Sequence, residues 1–285
     1  MIPIRVIRRR IRSITNTAKI TKAMEMVAAS KMKQSQQRVL AARPYAAKMR
    51  EVVANLAAQP KGEESTHPLL IQRDVKKISI VHVTGDRGLC GGLNGNVNRK
   101  TSGFIIEQSV PTNLVTVGRK GRDFMSRYGR EIRAEFTKIG DRPTLLDTTA
   151  ISRVVIDDFI NNNTDQVYIA FTQFINTINQ KPILLKLLPI EPAKIERAAN
   201  IEYIYEPSAA KVLGELLPRY VEMQVYQTIL ESIASEQSAR MVAMRNATDN
   251  ALEMIDDLTL VYNKARQEII TKELLDITSG IVSLG

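Results

Sequence analysis

Apolar and small residues recur in steps of three and four at each end of the chain. The first run begins Ile4, Ile7, Ile11, Ile14, Ala18 and continues through Val39, Ala46 and Met49 to Val53 and Leu56. Three of its sixteen positions are polar: Thr21, Glu25 and Ser35. The second runs from Leu216 and Tyr220 through Leu230, Ala234, Met244, Ala251, Ile255, Leu258 and Tyr262 to Lys272, with four polar positions in seventeen. Neither register slips, and a sustained seven-residue repeat implies a left-handed coiled coil. No glycine precedes Gly62 and none lies between Gly214 and Gly280, so both runs read as long helices. At 1.5 Å per residue, each would extend on the order of 80–100 Å. Pro44 inside the first run is expected to kink or divide it, whereas Pro218 falls in the first turns of the second, where proline is tolerated.

Between the runs the period changes. KISIVHVT (77–84), TNLVTVG (112–118), EIRAEFTKI (131–139), DQVYIAFTQF (165–174) and KPILLKLLPI (181–190) read as strands. Helical patterns at 96–109, 120–129 and 145–163 alternate with them, and INTINQ (175–180) reads as a hairpin. The fold class is therefore α/β: a long antiparallel coiled coil of N- and C-terminal helices, with an inserted α/β domain around a largely parallel five-stranded sheet. The expected organisation is an N-terminal helix over 1–59, a linker over 60–74, the α/β domain over 75–206 and a C-terminal helix over 207–285. The seam is alanine-rich with polar gaps at Thr21, Glu25, Gln227, Gln237 and Thr248. Two readings stay open: an imperfect coil, or a coil whose outer faces also meet other chains.

TGDRGLCGGLNGN (84–96) holds five of the fourteen glycines and follows the first strand, where α/β proteins often hold phosphates. Its spacing fits neither G-x-x-x-x-G-K-[ST] nor G-x-G-x-x-G. No catalytic set is visible. Asp86, Asp141, Asp147, Asp157 and Asp158 have no obvious partner base, and the Asp157-Asp158 pair reads as the solvated face of a helix. His82 reads as a structural strand residue. One cysteine, Cys90, and two histidines give neither a disulfide framework nor a zinc-ligand cluster. No cofactor is implied, and no apolar run approaches a membrane span.

The formal charge of +10 is concentrated. Residues 1–50 carry thirteen Lys/Arg against one acid, Glu25, so the rest of the chain is close to neutral. Such a segment calls for an anionic partner. A basic coiled-coil protein binding nucleic acid is one reading, although Tyr45 is the segment's one aromatic residue for base stacking. An α/β enzyme is a third, and it lacks a catalytic constellation.

Four stretches carry a resemblance: ITNTAKITKAMEMVAASKM (14–32), TGDRGLCGGLN (84–94), ASEQSARMVAMRNATDNA (234–251) and DDLTLVYNKARQEIITKELLDITSG (256–280). Together with FINTINQKPILLKLLP (174–189) and EYIYEPSA (202–209), they resemble, in order and over the whole chain, the γ subunit family of F-type ATP synthases. The resemblance implies a non-catalytic rotor shaft. Ion flow through the membrane c-ring turns it inside a ring of α and β subunits, and ATP is made on β. It implies contacts with α, β, ε and the c-ring, with membrane association indirect and no nucleic acid. Matched by motif, Met24, Arg240, Gln267, Thr271 and Glu273 would face the α/β ring, although Lys272 and Glu273 also fit an ordinary solvated helix end. Tyr203, Tyr205 and Glu206 would meet ε and the c-ring at the foot. ITSGIVSLG (277–285) would end the shaft in an apolar sleeve. The glycine loop would be a tight, non-catalytic bend with Cys90 buried. The cysteine-pair insertion of chloroplast members is absent. Met1 leading directly into the first helix fits a bacterial chain on the cytoplasmic face of the plasma membrane, with a mature mitochondrial form on the matrix side as the alternative.

Overall fold

A computed structural model describes residues 3–58, 67–191, 206 and 208–282. Its elements are α1 (Ile4–Ala58), β1 (Ile78–Val83), α2 (Leu93–Glu107), β2 (Thr112–Val117), α3 (Arg119–Arg127), β3 (Ile132–Phe136), α4 (Leu145–Ile160), β4 (Gln166–Phe174), β5 (Gln180–Leu188) and α5 (Ala209–Val282). They fall into two compact units. One comprises the residues up to 28 with those from 240 onward, and the other comprises residues 29–239.

In the larger unit the sheet order is β3-β2-β1-β4-β5, parallel except for the β4–β5 hairpin. Asn176 closes that hairpin, its Oδ1 accepting the Ile178 and Asn179 amides at 3.0 and 2.7 Å. The central strand β1 is buried along its whole length, as a parallel strand covered on both faces must be. Alternation divides its side chains between two cores. Val81 and Val83 join Val115, Ile151, Val155 and Phe159 on the face covered by α4 and by Leu217, Val221 and Val225 of α5. Ile78 and Ile80 join Ile105 of α2 and Met125 of α3 on the other.

Strand ends follow backbone geometry more closely than composition. The run over 131–139 stops pairing at Phe136, because Lys138 and Gly140 adopt positive φ (61° and 83°). The helix over 145–163 ends at Ile160, with Asn162 in the left-handed region. Its start is fixed by a capping box, in which Thr144 and Asp147 satisfy each other's exposed groups and hold the Asp147 carboxyl below its ordinary range.

α1 runs through Pro44 without a break, contrary to division at that residue. Pro44 is exposed, so water can satisfy the carbonyl that loses its amide partner.

In the smaller unit α1 and α5 are antiparallel neighbours. Arg8 donates to Tyr262 at 3.2 Å, Thr21 meets Thr248 at 2.7 Å, and Arg245 lies 3.4 Å from Glu25. From Leu252 to Ala265 only Ile255, Leu258, Tyr262 and Ala265 are shielded from solvent, and these are the heptad positions. Four of the five polar gaps in the seam are filled from within the chain, while Gln227 keeps a buried Oε1 without a partner among the described residues. Thr21 and Thr248 hydrogen-bond to each other. Glu25 is flanked by Lys22 at 2.9 Å and by Arg245. In the larger unit, Gln237 donates to Asp141 at 3.1 Å.

Candidate functional site

The glycine-rich bend is built as a self-satisfied corner. Asn94 at the start of α2 accepts the Gly85 amide at 3.1 Å, and its Nδ2 reaches the Arg87 carbonyl and Cys90 Sγ, each at 3.3 Å. Asp86 accepts the amides of Arg119 (3.0 Å) and Lys138 (2.9 Å), tying the bend to α3 and to the end of β3. Gly91 sits at φ 58° and Cys90 is buried, so a tight turn accounts for this part of the loop. Gly88 and Gly95 have room for a side chain, so glycine is not sterically required there. The closest approach involves a glycine outside the stretch. A Cβ on Gly118 (φ 91°) would lie 2.1 Å from the Thr84 carbonyl oxygen.

His82 is fully buried, with Nε2 2.8 Å from Asn98 Oδ1 and Nδ1 3.0 Å from Thr101 Oγ1. Burial pushes its pKa down to about 4, against the weaker opposing effect of Asn98. It is a neutral structural residue, as a strand position implies. Asp158 corrects the solvated-face reading. It is buried, accepts from Arg133 at 3.2 and 3.3 Å and from Asn163 at 3.2 Å, and so joins β3 to the end of α4. Its neighbour Asp157 is exposed. A helix can present one carboxylate to solvent and the next to the sheet, because adjacent positions differ by about 100° around the axis. Asp165 likewise accepts the Lys76 and Lys77 amides at 2.8 and 3.0 Å. Among the described residues no group of His, Cys, Asp and Glu is arranged to hold a metal, and no helix is long and apolar enough to cross a membrane.

The residues expected to face other chains are distributed along the two terminal helices. Met24 is half-buried, one position from the buried Glu25. Arg240 is buried on α5, while Gln267, Thr271 and Glu273 are exposed on its last turns. The Glu25–Arg245 pair sets Met24 level with residues 245–246, which puts Gln267 about 30 Å farther along the axis at 1.5 Å per residue. Met24 and the 267–273 group are therefore separate regions of one surface. Glu206 is exposed, and Tyr203 and Tyr205 lie outside the described residues.

Two further surface features lie on the terminal helices. On α1, Arg5, Arg9, Arg10, Arg12 and Lys19 are exposed and form no ion pair among the described residues. On α5, every residue from Arg266 to Thr278 is exposed, including Ile269, Ile270, Leu274, Leu275 and Ile277. The seven-residue repeat continues to Lys272 in the sequence, yet seam burial ends at Ala265: Ile269 and Lys272 are exposed, beyond the Arg8–Tyr262 contact.

The larger unit is thus a mostly parallel α/β sheet covered by helices on both faces, and the smaller is an antiparallel helical pair with charged and apolar side chains in solvent. The sequence model described as ATP synthase matches residues 3–284. The chain is 62% identical over 284 residues to the ATP synthase gamma chain of Dehalococcoides mccartyi, covering 100% of both. It is 50% identical to that of Chloroflexus aurantiacus, covering 98% of both. Among solved structures it resembles a chain of the Tetrahymena thermophila mitochondrial ATP synthase central stalk and c-ring (28% identity, TM-score 0.62, covering 80% of this chain and 99% of that one). It shares its fold with a chain of the Euglena gracilis mitochondrial ATP synthase rotor (20% identity, TM-score 0.68, covering 94% and 98%). The chain belongs to the ATP synthase gamma chain family. That membership displaces the nucleic-acid-binding and enzyme readings of its basic helix and α/β domain.

Proposed function

We propose that this chain is the central rotor shaft of an F-type ATP synthase, carrying torque between an ion-driven c-ring and the catalytic sites on three β subunits. The observation that carries the proposal is the last stretch of α5. Five large aliphatic side chains between 269 and 277 stand in solvent, beyond the point where α1 can cover them. A row of exposed large apolar side chains on one helix marks a surface that another chain covers. In the proposed assembly, the ring of α and β subunits forms that enclosure. The unpaired cations of α1 then face acidic surface of β as a graded track. Exposed pairs contribute only about 0–1 kcal/mol each, so no one angle traps the shaft.

In this reading Met24, Arg240, Gln267, Thr271 and Glu273 contact the ring, and Tyr203, Tyr205 and Glu206 contact ε and the c-ring. The chain contributes no catalytic group; ATP is formed or cleaved on β, and rotation in reverse pumps ions. Its membrane association is indirect, through the c-ring on the cytoplasmic face of a bacterial plasma membrane.

Rotation is directly observable. Cys90 is the one cysteine and it is buried, so Ser126→Cys on exposed α3 offers a selective attachment point for a bead. In an assembly with α and β fixed to a surface, ATP should drive unidirectional turning in three equal steps. A stationary bead on assemblies that hydrolyse ATP at full rate would contradict the proposal.

A further inference from the structure

A cleft of about 380 Å³ in the larger unit lies between α1 and the loop joining β3 to α4. Lys31, Gln34, Ser35 and Arg38 face it from α1, at the i, i+3, i+4, i+7 spacing that places four side chains on one helix face. Asp141 and Arg142 face it from the loop. Lys31 is neutralised by Asp141, whose other oxygen accepts from Gln237. Arg142 donates to Gln34 Oε1 at 2.6 Å, which fixes that amide with its NH₂ group still available to donate. Arg38 has no carboxylate or hydrogen-bond partner among the described residues. Ser35 is 3% exposed and lines the cleft between Lys31 and Arg38 on the same helix face.

We infer that this cleft binds a phosphate-class anion, either inorganic phosphate or the phosphates of a nucleotide. Three cations face one carboxylate, so the cleft keeps a positive excess after the Lys31–Asp141 pair. The donors are two guanidinium groups, a hydroxyl and an amide, arriving from a helix on one side and a loop on the other. A tetrahedral oxyanion can accept from all of these, whereas a single carboxylate has only two oxygens to offer. The site is distinct from the glycine bend, whose Asn94 and Asp86 are occupied by its own backbone amides.

The test is a phosphorus NMR titration of the full chain at low ionic strength, with inorganic phosphate in one series and ATP in the other. Saturable binding is expected in at least one series. Arg38→Gln should weaken it about tenfold, the effect of losing a hydrogen bond to a charged group. Ser35→Ala should weaken it by a smaller factor. Arg9→Gln, on the exposed and distant part of α1, should leave it unchanged, and circular dichroism should show all three variants folded. Saturation by phosphate alone identifies the free ion, and tighter saturation by ATP identifies a nucleotide. No saturable binding in either series, or equal weakening by Arg9→Gln and Arg38→Gln, would overturn the inference and reduce the effect to the general basic field of α1.

Discussion

Glu25 of α1 is buried at a seam position and lies 3.4 Å from Arg245 of α5. Its second cation, Lys22, is one helical turn away at 2.9 Å. Both cations are largely exposed, so the pair joins a buried acid to solvated bases. A polar group at one seam position costs stability and selects one alignment of the two helices. Thr21 and Thr248, hydrogen-bonded one turn along, mark the same alignment.

Replacement of Glu25 by Leu removes the buried acid and leaves only solvated cations. The variant should be neutral or more stable by about 1 kcal/mol in urea unfolding, as for other buried pairs replaced by apolar residues. A loss of about 2 kcal/mol would mean that the carboxylate contributes net stability through its pairs.

Gly118 is the position where a side chain is least tolerable. Its φ of 91° and the 2.1 Å approach to the Thr84 carbonyl both exclude a Cβ. Gly118→Ala should cost about 3 kcal/mol or more of unfolding free energy. Gly103, inside α2 with open space around it, provides the contrast. Gly103→Ala should stabilise by about 0.5–1 kcal/mol through helix propensity alone. Equal effects at the two sites would refute the distinction.

Acid stability should depend on His82. The unfolded imidazole protonates near pH 6.5, and the buried one resists protonation to about pH 4. The unfolded state therefore binds more protons between these values, and stability falls as pH drops through that window. The full loss is on the order of 3 kcal/mol, complete near pH 4. His82→Gln should flatten the pH dependence over this range relative to the wild type, whatever its stability at pH 7. An unchanged slope would show that carboxylates alone produce it.

Met24 is half-buried beside Glu25, and the proposed shaft turns past acidic surface of β at this level. Met24→Lys adds a cation to a track that must not hold at any angle. Assembly and ATP hydrolysis should persist while ion pumping per ATP hydrolysed falls. An unchanged pumping ratio in the variant would remove Met24 from the contact surface.

Much of this was legible in the sequence because long-range periodicity is robust. Every seam position from Ile7 to Val53 is at least partly shielded, and the sheet has its five strands in the expected chain order. Features that depend on single contacts were not legible. The glycine-rich stretch announces a bend, yet the strictest glycine is Gly118, whose demand comes from a carbonyl 34 residues away. Asp158 looks like its solvated neighbour until Arg133 and Asn163 converge on it. Thr21, Glu25 and Thr248 look like defects until their partners on the other helix are known. Composition also gives no sign of Ser35 and Arg38 meeting Arg142, since the β3–α4 loop brings them together across 104 residues or more.

The most direct test of the rotor account is to combine the full chain with α and β subunits from the same source, and follow complex formation and ATP turnover together. The account predicts a stable complex with one copy of this chain and turnover strongly raised over α and β alone. A chain that stays out of the complex, yet binds DNA or RNA with a steep salt dependence, would contradict it.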